Sequence, residues 1–172
     1  MNTPQTYDAG FSHQIGRYAD VVRVPADYDQ IVVSGTPGLD ENGNIPADFA
    51  DETRQAWRNV AAILEKAGAS LSDIVSIRQY LTREEDIKTY VAVQKEMITH
   101  EPAAMLLVPT AMARPEIHVE VEAVALVPSG RLPIRTRSSA DSGLIDERQL
   151  GGKAGAAHEQ RWTARRATAT GC

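Results

Sequence analysis

The 172-residue sequence has one cysteine, Cys172, at its very end. An intramolecular disulfide is excluded, which fits a reducing, cytoplasmic setting. No activating neighbour stands beside that thiol, so it reads as a terminal group without a role. The first residues hold no basic segment followed by an apolar run, so no secretory signal is expected. No apolar stretch approaches the roughly 20 residues that cross a bilayer, so no membrane partner is expected. His13, His100, His118 and His158 lack metal-ligand spacing, so neither a metal nor a cofactor is expected. There is no nucleophile elbow around a serine and no glycine loop for phosphates. The net charge is -5 and the pI about 5.4, which argues against a nucleic-acid binder working through a basic face.

Hydrophobic residues make up 42% and charged residues 24%, ordinary values for one soluble domain with a sizeable core. The charge is uneven. Residues 1–128 carry a net -9 and residues 129–172 a net +4. Three parts follow: a flexible N-terminal segment at 1–14, a folded domain at 15–128, and a disordered basic tail at 129–172. In the tail Arg, Ser and Gly dominate and no apolar period lasts two turns. A basic arm for an acidic partner is the alternative reading of the tail.

Within the domain, residues 19–24 and 28–35 suit two strands, with a hairpin break at Pro25-Ala26-Asp27. Residues 47–67 predict an amphipathic helix. Phe49, Ala56, Val60, Ile63, Leu64 and Ala67 recur at three- and four-residue steps, and Asp51 and Glu52 fall mainly on the polar side. Acids early, Lys66 late and Gly68 as a stop complete the pattern. A strand at 74–81, a helix from 87 to about 99, a short strand at 104–108 and a last strand at 118–127 follow. The order β-β-α-β-α-β-β predicts an α+β two-layer sandwich with both helices on one sheet face. The other face needs cover, since each apolar side chain left in water forgoes about 1.5–3 kcal/mol. Oligomerisation is the simplest cover.

Four segments in order carry a family likeness: Ile15-Gly16-Arg17-Tyr18, Val32-Val33-Ser34-Gly35, Asn59 to Gly68 followed by Asp73-Ile74-Val75, and Val119 to Ala125. Together with Pro102-Ala103-Ala104-Met105 they resemble the reactive intermediate deaminase (Rid, formerly YjgF) family over residues 14–127. The resemblance implies a chorismate-mutase-like homotrimer with a central barrel of sheets and three clefts between neighbouring subunits. It implies hydrolysis of reactive enamines or imines with release of ammonia. The deaminating branch carries an arginine that grips a substrate carboxylate where this chain has Ala104. Arg17 stands in place of a proline, and Val91 where a cleft asparagine often sits. The resemblance thus points to an arginine-lacking branch.

Glu120 matches the family's cleft glutamate, which the resemblance makes the group that positions or activates water. A carboxylate in a partly apolar cleft has a raised pKa suited to proton transfer. The alternative is a strand glutamate paired with an arginine. Glu122 shares its face and would push one pKa upward. Tyr18 matches a cleft tyrosine that could stack on a conjugated substrate, or else anchors the N-terminal segment. Gly35 matches a position where backbone nears the ligand. Arg17 and Arg114 are candidate replacements for the missing cation at Ala104. His118, near Glu120, is a candidate proton shuttle or a packed histidine.

The function expected is a deaminase acting on a reactive enamine or imine metabolite, with Glu120 assisting water. The substrate is not expected to be a simple 2-imino acid, given Ala104. The alternative is a non-catalytic trimeric protein that binds small molecules. An RNA-cleaving reading fits poorly with an acidic domain.

Overall fold

The computed structural model describes residues 3–130. Most of the expected basic tail, from residue 131 onward, lies outside the described residues. The elements are β1 (Gln5–Tyr7), α1 (Ser12–Ile15), β2 (Val21–Arg23), β3 (Tyr28–Pro37), α2 (Phe49–Lys66), β4 (Ile74–Leu81), α3 (Ile87–Met97), β5 (Ala103–Leu107) and β6 (Val119–Pro128). From β2 onward this is the expected order.

A four-stranded sheet runs β3-β6-β4-β5. β6 is antiparallel to both neighbours, and β4 runs parallel to β5 through the α3 crossover. α2 forms where its apolar stripe demanded. Asp48 caps it, its carboxylate accepting from the Asp51 N–H at 3.1 Å. Gly68, at φ 79°, ends it in the left-handed region that glycine tolerates. Trp57, Val60 and Leu64 of α2 pack with Tyr90 and Val93 of α3 onto Ile77, Val119, Val121 and Ala123 of the sheet, forming the core.

The other sheet face is uncovered in a single chain. Val32 is 71% exposed there, Met105 54% and Leu107 42%.

Two expectations are corrected. Residues 19–24 do not form a hairpin with β3. β2 instead pairs antiparallel with β1, and β3 pairs with β6. The N-terminal segment, expected to be irregular, holds β1 and α1. Its order comes from Asp20, whose carboxylate accepts the N–H groups of Ala9 (2.7 Å), Phe11 (3.3 Å) and Ser12 (2.8 Å). Desolvation would raise this carboxyl's pKa, but the backbone donors outweigh it and hold the group below the usual range. Such a carboxylate knot leaves no trace in hydrophobic periodicity.

Candidate functional site

Two separate regions carry the residues singled out above. The first is a cavity of about 460 Å³ between α3, β5 and residues 15–18. The Ala19 N–H donates to the Pro102 carbonyl at 3.1 Å, which ties the segment bearing Tyr18 to the entry of β5. Tyr18, Val91 and Ala104 all line this cavity. Three positions scattered along the sequence thus meet in one place. The remaining walls are mainly apolar: Ile87 and Ile98 from the helical side, Leu106 from β5. Gln79, 3% exposed, lines it as well and donates to the Met105 carbonyl at 3.2 Å.

Arg17 lines the same cavity, but its guanidinium is engaged. Nε donates to Glu101 Oε1 at 3.0 Å and Nη2 to the Thr99 carbonyl. A second cation, Lys95, also lines the cavity. Sequence reasoning did not find it. The available signal was its place one helical turn beyond Val91 on α3.

The second region is the outward sheet face. Along β6, Val119, Val121, Ala123 and Ala125 are buried against the helices, so Glu120, Glu122 and Val124 point the other way. Glu120 pairs in register with Pro37 of β3 and Tyr80 of β4. The β3–β6 ladder shifts register between Val33 and Thr36, bringing Gly35 against the Glu120 side chain. A Cβ on Gly35 would stand 2.8 Å from Glu120 Oε2, so the glycine makes the room that the carboxylate fills. Partial burial, then the neighbouring charge of Glu122, push the Glu120 carboxyl above the usual range. Burial, with Glu122 next, raises the Tyr80 phenol too. Glu122 itself pairs with Arg78 at 3.5 Å.

These two regions do not meet within one chain. Ala104 is in register with Ile77, and Ile77 with Ala123, all on the helix-covered face. Leu107, Tyr80 and Glu120 form a row on the opposite face.

His118 takes the packed of its two readings rather than that of a shuttle beside Glu120. It turns from Glu120 toward α2, where its Nδ1 lies 3.0 Å from Glu52 Oε2. The other Glu52 oxygen accepts the backbone N–H groups of His118 (2.8 Å) and Val119 (3.3 Å). Glu52, assigned to the polar helix side, is 1% exposed. It is buried because the first turn of α2 meets the start of β6, a tertiary contact that helical periodicity does not report. Arg114 is held by Glu116, with Nε and Nη2 donating to Oε1 at 2.9 and 2.6 Å. Among the described residues no group of three His, Cys, Asp or Glu converges as a metal site would, and no helix is long and apolar enough to cross a membrane.

The family profile described as Endoribonuclease L-PSP matches residues 12–127. A RutC family protein of Pyrococcus abyssi is 32% identical over 113 residues, covering 64% of this chain and 87% of the relative. The 2-iminobutanoate/2-iminopropanoate deaminase of Escherichia coli K12 is 32% identical over 102 residues, 57% of this chain and 80% of that enzyme. Among solved structures, the YjgF gene product of E. coli is 29% identical with a TM-score of 0.55, covering 65% of this chain and 89% of that one. RidA from an Antarctic Psychrobacter is 27% identical with a TM-score of 0.56, covering 74% and 100%. With the profile spanning most of the folded domain, and the Tyr18–Ala104 cavity and the Glu120–Gly35 contact both lying within its span, the chain belongs to the Endoribonuclease L-PSP family, that of the Rid/YjgF proteins.

Proposed function

We propose that this protein hydrolyses a reactive enamine or imine metabolite, releasing ammonia, in a cleft built by two copies of the chain. The observation that carries this reading is the Glu120 carboxyl, partly buried against Gly35 with its pKa raised, on a family scaffold. The relatives named as 2-iminobutanoate/2-iminopropanoate deaminases support the reaction class.

The chemistry needs one proton carrier and one water. A protonated Glu120 donates to the imine nitrogen, making the carbon electrophilic. Water adds to that carbon, and the carboxylate takes the surplus proton. The resulting carbinolamine receives that proton back on nitrogen, and the C–N bond breaks as the Glu120 carboxylate takes the hydroxyl proton, giving ammonia, a carbonyl and the acid form of Glu120. An enamine enters the same path after protonation on carbon. A carboxyl with a raised pKa keeps more of its acid form at a given pH than a free carboxylate does, which favours the proton donation the first step needs.

Assembly supplies the rest of the cleft. The outward face bearing Glu120 also bears the exposed Val32, Met105 and Leu107. Covering that face in a homotrimer would bury them and bring the Glu120–Gly35 region of one copy opposite the Tyr18–Ala104 cavity of its neighbour. This accounts for why the two regions lie on opposite faces of one chain. The RNA-cleaving activity suggested by the profile's description is disfavoured by the net charge of -9 over residues 1–128.

Ammonia release from freshly generated imines, with and without a carboxylate, tests the proposal. Wild-type protein should accelerate at least one, and Glu120→Gln should lose the effect. No acceleration with any of them would sink it. A second reading, a trimeric small-molecule binder without turnover, is favoured by Ala104 and Val91 standing where the deaminating branch places polar groups. Ligand binding unaltered by Glu120→Ala, with no ammonia release, would establish that reading.

A further inference from the structure

The cavity beneath Ala104 has a definite chemical character. Its walls are apolar from α3 and β5, and no carboxylate is among its lining residues. Its charged lining residues are Arg17 and Lys95. Arg17 is neutralised by Glu101 at 3.0 Å and saturated further by the Thr99 carbonyl. The acid next to Lys95 in sequence, Glu96, is taken by Arg54 at 3.2 Å. Lys95 makes no ion pair among the described residues, so it is the cavity's uncompensated positive charge. Alanine at 104 leaves the β5 wall without a long side chain, so the room an arginine would fill is open to ligand.

On these grounds we infer that Lys95 is the anion-binding, specificity-determining residue of this cavity. Its ligands are small amphiphilic anions, a carboxylate at Lys95 joined to an apolar substituent lodged against Ile87, Val91 and Leu106. The inference deepens the proposed function by assigning the substrate class, and it rests on that reading only for turnover. An apolar wall excludes water from the ligand and strengthens a charged hydrogen bond at the cavity's edge. A lysine on a flexible stem holds an anion as a point charge, without the bidentate geometry of an arginine. The cavity therefore selects for charge and apolar bulk, and is indifferent to the carboxylate's orientation.

Binding to the full-length protein tests this without any reaction. Calorimetry with 3-phenylpropanoate, its neutral amide and the short acid acetate should rank the aromatic acid first, about tenfold above the amide. Lys95→Met should erase the preference for the acid over the amide while leaving amide binding unchanged. Lys95→Arg should restore that preference. Lys95 is exposed on the last turn of α3, so these variants should keep the wild-type unfolding temperature. Equal binding of acid and amide by wild-type protein would overturn the inference, as would a preference that survives in Lys95→Met. The turnover arm separates the two proposals, using imines generated from phenylalanine and from alanine. A Lys95-dependent binding preference without ammonia release retains the anion site and removes the deaminase reading. Ammonia release from both imines with kcat/KM unmoved by Lys95→Met does the reverse.

Discussion

The two faces of the sheet share four strands and alternate residue by residue, yet they answer to different demands. On the helix-covered face, Ile77, Val119, Val121 and Ala123 are buried within the chain, and each is placed by its own apolar surface. On the outward face, Glu120, Glu122, Arg78 and Tyr80 stand among the exposed Val32, Met105 and Leu107. That mixture is poor as a core and excessive for a solvent face. It suits the proposed assembly, in which other copies cover this surface and Glu120 works on it. Folding is thus secured on one side of the sheet, and chemistry can be carried on the other.

Glycines draw the same contrast, and the first test uses them. At Gly38 a Cβ would come within 2.2 Å of the Glu52 backbone carbonyl oxygen, which cannot move without shifting α2. At Gly35 it would meet only the end of the Glu120 side chain, at 2.8 Å. Gly38→Ala should therefore lower stability by about 3 kcal/mol, while Gly35→Ala should cost far less and act mainly on turnover. Urea unfolding of both variants checks this. Equal losses would erase the distinction between the faces.

Next in size is Glu120→Gln, expected to reduce turnover about 100-fold while the far-ultraviolet spectrum and urea midpoint stay near wild type. A comparable loss from Glu122→Gln would mean that the wrong carboxylate has been assigned. Third, Val32→Lys places a charge on the uncovered face. It should convert the assembly to monomers in sedimentation, because the apolar contribution of about 1.5–3 kcal/mol is replaced by the cost of burying a cation. An unchanged sedimentation coefficient would mean that this face is not where copies meet.

The smallest effect concerns pH. The folded Glu120 carboxyl titrates above its unfolded value, from burial first and the Glu122 charge second. The folded state then holds the extra proton across that interval. Its contribution to stability is full below the unfolded pKa and is lost as pH rises through the raised folded value. Glu120→Gln should accordingly narrow or reverse any stability deficit at neutral pH relative to acid. Glu122→Gln should lower the Glu120 pKa and move the alkaline fall of turnover to lower pH. A profile unmoved by Glu122→Gln would show that the charge beside Glu120 is without effect.

Much of this molecule was legible from its sequence. Helix α2 followed from a three- and four-residue apolar repeat, an acidic first turn and Gly68, all local properties. That Glu120 and Glu122 share one strand face followed from their two-residue spacing. Resemblance gathered Tyr18, Val91 and Ala104 into one cleft, and the structure places them in one cavity. The role of Glu52 was not legible, because its burial depends on where the start of β6 passes α2. Nor was the pairing of β1 with β2, which rests on Asp20 collecting backbone donors across a loop.

By itself the sequence determined which segments coil or extend and which side of each is apolar, because those preferences act between residues a few positions apart. Only the tertiary structure decided which of the cavity's two cations is paired among the described residues. Arg17 and Lys95 are equally charged in the sequence, and it is the arrival of Glu101 from a distant loop that occupies the first and leaves the second. Charge compensation depends on distance in space, and distance in space is what chain order does not record.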